Sequence, residues 1–133
     1  MTLEQRKNIA LDHHRHGYNC AQSVALAYSD LMAPEESVVA NATQALGGGI
    51  GAMGETCGVV TGMAVAVGLI ERASVADKPK VYKAMKELGN GFKAVNDGRV
   101  LCRELKRPGA SKSCDALIAE GVELLYKRYF PAD

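Results

Sequence analysis

From Gly17 to Ile70 the chain has no lysine or arginine, and its only charges there are Asp30, Glu35, Glu36 and Glu55. So long a stretch with so little charge belongs in a core or at a subunit interface, since apolar surface left in water is unfavourable. Thirteen of the 16 basic residues follow from Arg72 onward, mixed with acidic ones. That is the pattern of solvated amphipathic helices. The most apolar part, Cys57 to Ile70, is uncharged and 14 residues long. It is shorter than the roughly 18–20 apolar residues that cross a bilayer, so no membrane span is expected. Gly54, Gly58, Gly62 and Ala66 recur at every fourth position. On a helix this spacing clears a stripe for close backbone approach. A strand would be weakened by so many glycines. The segment is read as a buried helix.

Its surroundings read as helical too. Residues 2–16 form a polar helix stopped by Gly17, and Asn19 caps a second helix whose apolar face is Ala21, Val24, Ala25 and Tyr28. Pro34 suits the first turn of a third helix, with Glu35 and Glu36 favourable to its dipole. Its stripe is Val38, Val39, Ala42, Ala45 and Leu46, followed by a glycine-rich break from Gly47 to Gly54. Asp77 opens a fifth helix with Val81, Met85, Leu88, Phe92 and Val95 on one side. A short helix from Val100 to Lys106 ends at Pro108-Gly109. Ser111 or Ser113 begins the last helix, carrying Ile118, Val122, Leu125 and Tyr129. The expected fold class is all-α: a single compact bundle of about five to seven helices in one domain spanning 1–133, with a glycine-rich loop before the buried small-residue helix.

Composition excludes some functions. A net charge of +1 lacks the basic excess of a general nucleic-acid binder, and two phenylalanines and five tyrosines with no tryptophan supply base stacking poorly. No nucleic-acid partner is expected. The first residues, MTLEQRKNIALDHHRHG, contain charges throughout and no apolar run, unlike a secretory signal. The expected location is cytoplasmic, where static disulfides are disfavoured.

The four cysteines, Cys20, Cys57, Cys102 and Cys114, form no Cys-x-x-Cys pair. Cys20 follows the cap Asn19, Cys57 follows Thr56 and Cys114 follows Ser113, which places three of them in the first turn of a helix. Free N–H groups and the helix dipole there favour a thiolate, hence a nucleophile or a metal ligand. Cys102 lies instead among Arg99, Arg103, Lys106 and Arg107, whose charges favour the same form. Any one of these cysteines alone would ordinarily be packing. The shared setting of three argues for joint chemistry.

Two other patterns carry less weight. Gly49-Ile50-Gly51-Ala52-Met53-Gly54 has the G-x-G-x-x-G spacing, but a helix rather than a strand precedes it, contrary to a dinucleotide site. The loop could cradle a phosphate, or its N–H groups could bond thiolate or sulfide beside a cluster. His13 and His16 stand at i and i+3, a spacing able to hold a metal with Cys20 nearby. Surface histidines at a helix C-terminus are the commoner case.

Gly17-Tyr18-Asn19-Cys20-Ala21, the Gly47-Gly48-Gly49 run leading to Cys57-Gly58-Val59-Val60-Thr61-Gly62, and the later Cys102 and Cys114 together resemble the C_GCAxxG_C_C family. These are small proteins for which a redox role is inferred from four cysteines and a C-G-A-x-x-G motif around the second. The resemblance runs from about Gly17 to Cys114 and beyond. Val59 departs from it, standing where the family motif has alanine. The pattern also resembles the cluster-associated part of split-Soret cytochromes, which implies an iron–sulfur site. No Cys-x-x-Cys-His is present, which excludes covalent c-type haem.

The resulting expectation is a redox protein in which Cys20, Cys57, Cys102 and Cys114 meet as the redox-active residues. They would act either as ligands of an iron–sulfur cluster or, less favoured, a zinc ion, or as a thiol–disulfide centre, with Gly49, Gly51 and Gly58 against the cofactor. Its partners would be a redox protein and a second copy of the chain. The competing expectation is a non-enzymatic helical module that dimerises and whose cysteines are structural.

Overall fold

Helix starts are fixed by local chemistry. Thr2 and Gln5 form a reciprocal capping box (2.7 and 3.1 Å) at the head of α1, Leu3–Arg15. Asn19 and Gln22 form another (2.8 and 2.9 Å) at the head of α2, Cys20–Leu26. The computed structural model describes residues 1–133, and the remaining helices are α3 (Glu36–Thr43), α4 (Gly58–Glu71), α5 (Lys78–Ala94), α6 (Cys102–Leu105) and α7 (Cys114–Tyr129). Short 3₁₀ turns lie at 29–31, 44–46 and 75–77. The all-α expectation holds, and the one β feature is an isolated antiparallel bridge between Thr56 and Leu101.

The low-charge half of the sequence forms the centre. Ala21 to Tyr28 are all buried, and α4 lies across them. A Cβ on Gly62 would fall 2.8 Å from the Ala21 carbonyl oxygen, and one on Gly58 would fall 3.0 Å from the Ala21 nitrogen. The two helices therefore meet backbone to backbone, as the small-residue spacing implies. Gly54 does not continue the stripe. It lies in the loop, where its missing side chain leaves room for Arg103. Around this pair Met63, Phe92, Leu117, Ile118, Val122 and Leu125 complete the core.

Three details differ from the sequence reading. Pro34 precedes the N-cap Glu35 instead of entering α3. Of the α3 stripe only Val39 is buried, with Thr43 beside it on the inner face, while Val38, Ala42 and Ala45 are exposed. The inward line of α3 is Val39 and Thr43, one position on from Val38 and Ala42, which therefore face about 100° away. Val95 is likewise exposed, because α5 ends at Ala94.

One buried charge was not foreseen. Arg6, 1% exposed, donates to both carboxylate oxygens of Asp30 (2.7 and 3.0 Å) and to the Ala27 carbonyl (2.9 Å). Its guanidinium lies over the rings of Tyr28 and Phe130, 4.6 and 5.1 Å from their centres. The arginine pairing holds the Asp30 carboxyl below its usual range.

Val59 has a steric counterpart. A Cβ on Gly121 of α7 would sit 2.5 Å from its Cγ1, so the larger residue on α4 is matched by none on α7. Gly121→Ala should destabilise by about 1–3 kcal/mol through overpacking. Val59→Ala should cost about 2 kcal/mol through lost burial. The double variant should cost less than their sum by about 1 kcal/mol or more in denaturant unfolding. Additive losses would show that the two positions do not share this space.

Candidate metal centre

All four cysteines begin helices. Cys20, Cys102 and Cys114 are the first residues of α2, α6 and α7, and Cys57 is the N-cap of α4. The sequence reading placed three of these at helix starts and began the short helix two residues early, at Val100, so Cys102 did not stand out as its first residue. Ser113 caps α7 by accepting from the Ala116 N–H (3.2 Å).

Packing of α7 along α1 and α2 brings two cysteines and a histidine together. The sulfurs of Cys20 and Cys114 and a ring nitrogen of His14 lie within 4.8 Å of one another, all half-buried. His14 Nδ1 is 2.7 Å from an oxygen of Asp115, so Nδ1–H donates to the carboxylate and Nε2 is the nitrogen left to act as a ligand. The histidine spacing in the sequence pointed elsewhere. His13 and His16 each engage a carbonyl of their own helix, those of Ile9 and Asp12, through Nδ1 (both 2.8 Å). The missed signal is on α1 itself, where Arg6 and Ala10 are the buried residues and His14 is the next position at four-residue spacing.

Cys57 and Cys102 are held by backbone. On either side of the Thr56–Leu101 bridge, the Cys57 N–H donates to Val100 (2.7 Å) and the Cys102 N–H donates to Glu55 (2.6 Å). Gly49 is buried at this junction. A Cβ there would lie 2.7 Å from the Cys102 Cβ, and one on Gly58 would lie 3.1 Å from the Cys20 Cβ. Gly51 differs, being exposed with nothing nearer its would-be Cβ than the Ala45 oxygen at 4.0 Å.

The glycine-rich loop is a left-handed coil. Residues 48 to 52 all have positive φ, including Ile50 at 65° and Ala52 at 62°. The N–H groups of Ile50, Gly51, Ala52, Met53, Gly54 and Glu55 donate to carbonyls between Ala45 and Ile50. These amides are spent within the loop, and a helix with its 3₁₀ extension precedes it. The G-x-G-x-x-G stretch therefore offers none of its N–H groups from Ile50 to Gly54 to a phosphate. Its effect is to place Glu55–Cys57 against Val100–Arg103. Left-handed backbone costs an L residue about 1–2 kcal/mol, so Ala52→Gly should stabilise the fold by about 0.5–1 kcal/mol after the added chain entropy, read from the unfolding midpoint. An unchanged or lowered midpoint would refute that strain.

Electrostatics correct another expectation. Helix starts favour thiolates, yet burial and the neighbouring Cys114, Cys57 and Cys102 push Cys20 up to about 12 from an ordinary 9.0. Burial also pushes Cys57 up, against the opposing N–H groups of Val59 and Val60, and Cys102 and Cys114 reinforce the rise. Desolvation and mutual repulsion outweigh the dipole. Of the predicted cations, Lys106 is the one that senses the thiols, its pKa raised chiefly by Cys114 and further by Cys20 and Cys102. Arg103 pairs with Glu55 (3.3 Å), Arg99 with Asp97 (3.8 Å), and Arg107 donates to the Glu104 carbonyl (2.6 Å).

The family model described as "Putative redox-active protein (C_GCAxxG_C_C)" matches residues 18–128. The chain belongs to the C_GCAxxG_C_C family. No curated protein and no solved structure matches it. The C_GCAxxG_C_C match takes in all four cysteines and Lys106, whereas His14 lies just ahead of it. No helix of this C_GCAxxG_C_C protein is long and apolar enough to cross a membrane.

Thiol burial sets an alkaline limit. The folded state keeps the Cys20 proton to about pH 12, while the unfolded chain releases it near 9.0. Between those values the native form binds more protons, so stability falls as pH rises. Raised Tyr28, Tyr126 and Tyr129 act in the same direction. The melting temperature of the reduced, metal-free protein should fall from pH 9 upward, and Cys20→Ala should flatten part of that slope. An identical slope in the variant would rule out a buried neutral thiol at this position.

Proposed function

We propose that this C_GCAxxG_C_C protein is a cytoplasmic redox protein in which Cys20, Cys57, Cys102 and Cys114 hold a metal or iron–sulfur centre and exchange electrons with a partner protein. The observation that carries this reading is the cluster itself. Cys20, Cys114 and His14 share one 4.8 Å group, and the remaining two thiols are pinned by one bridge. Cys57 and Cys102 lie outside that group, but Cys20 senses the charges of the other three thiols, and Cys57 those of Cys102 and Cys114. Cys20 and Cys57, which burial keeps protonated, are poor nucleophiles. A bound cation reverses that balance, since coordination deprotonates a thiol outright. Soft thiolate donors suit zinc and iron–sulfur clusters, and electron transfer favours iron. A dithiol–disulfide cycle is the second reading, favoured by the short Cys20–Cys114 separation and by the free state of all four cysteines.

Anaerobic purification followed by iron, zinc and acid-labile sulfide analysis, a visible spectrum and thiol titration tests the proposal. Stoichiometric metal is expected, with four thiols becoming titratable only after its removal. Changing any one cysteine to serine should lower metal retention at least tenfold. A metal-free, colourless protein that forms a reversible Cys20–Cys114 disulfide would replace the first reading with the second. Four slow thiols with neither metal nor disulfide would defeat both.

A further inference from the structure

We propose that the centre is a mixed sulfur–nitrogen site, in which His14 ligates the same ion as Cys20 and Cys114 and Asp115 is the positioning residue that fixes the imidazole. The inference rests on the metal-centre reading above and adds a donor that the four-cysteine pattern does not contain. Three observations support it. A His14 ring nitrogen and the two sulfurs lie within 4.8 Å of one another, so side-chain movement of about 1 Å brings them to the spacing of roughly 3.5–3.8 Å that tetrahedral bonds of about 2.0–2.3 Å require. The Nδ1–Asp115 contact of 2.7 Å pairs Nδ1 with a carboxylate, an acceptor that favours the proton on Nδ1 and leaves Nε2 with its lone pair. A carboxylate behind a ligating imidazole is the usual outer-shell support of metal-bound histidine. The third concerns the neighbours. His13 and His16 spend Nδ1 on carbonyls of their own helix, so His14 is the histidine of the trio that is turned to another element.

The chemical consequence concerns the charge of the centre. Exchanging a thiolate donor for a neutral imidazole removes one negative charge, and in iron–sulfur centres histidine ligation raises the potential relative to all-cysteine ligation. For zinc, a Cys₂His set leaves a fourth position for Cys57, Cys102 or a small ligand.

X-ray absorption at the zinc edge, on the full-length reduced protein loaded with one equivalent of Zn²⁺, reads the donor set without any variant. Mixed sulfur and nitrogen scattering with the outer-shell signature of imidazole is expected. His14→Gln should abolish that signature and weaken Zn²⁺ binding at least tenfold in chelator competition. Asp115→Asn should keep the signature and weaken binding about tenfold. An all-sulfur shell unchanged by His14→Gln would overturn the assignment of His14 and leave the four-cysteine centre standing. A chain that takes up no Zn²⁺ by competition, and carries no iron when purified anaerobically, would remove both.

Discussion

The contact between α2 and α4 at Ala21, Gly58 and Gly62 is the constraint on which the site depends. Helix axes that approach this closely do so only without Cβ atoms in the way, and here the would-be Cβ of Gly62 stands 2.8 Å from a carbonyl oxygen. Since Cys20 and Cys57 begin these two helices, the distance between their thiols is set by backbone packing. Side-chain reach hardly enters. The same contact accounts for the absence of charge in α2, where Ala21 to Leu26 are all buried.

Around that pair the protein collects thiols under opposing influences. Four helix starts offer dipoles and N–H groups that favour anions, yet burial and the proximity of the other sulfurs dominate at Cys20 and Cys57. Lys106 is too exposed to offset this on its own. In the metal-free state Cys20 and Cys57 are therefore protonated donors at helix starts whose dipoles favour charge. Such a site is poised for a cation more than for nucleophilic attack.

Much of this was legible in the sequence where it followed from local chemistry. Asn19, Ser113 and the Gly58–Gly62 spacing announced the helix starts and the central packing, because caps and small-residue stripes act within a turn or two. Other features depend on long-range neighbours and left little local trace. Val38 and Val95 matched an apolar period, but the neighbouring Val39–Thr43 line faces the core in place of Val38, and α5 ends before Val95. His14 became visible only once α7 lay beside α1, even though its place on the Arg6–Ala10 line was available beforehand. The glycine spacing of the loop, compatible with a phosphate site or a tight turn, does not reveal that the amides from Ile50 to Glu55 bond within it.

The buried arginine gives α1 a mechanical role. Arg6 is fastened to Asp30 and Ala27 and gripped between the rings of Tyr28 and Phe130. His14 stands eight residues further on the same rod, about 12 Å along at 1.5 Å per residue. A rod fixed at one end is a ruler, and the clamp sets how far the imidazole extends towards Cys20. Any slip at Arg6 would be transmitted along α1 as a change in the distance from His14 to Cys20, coupling the mechanics of the core to the geometry of the pole.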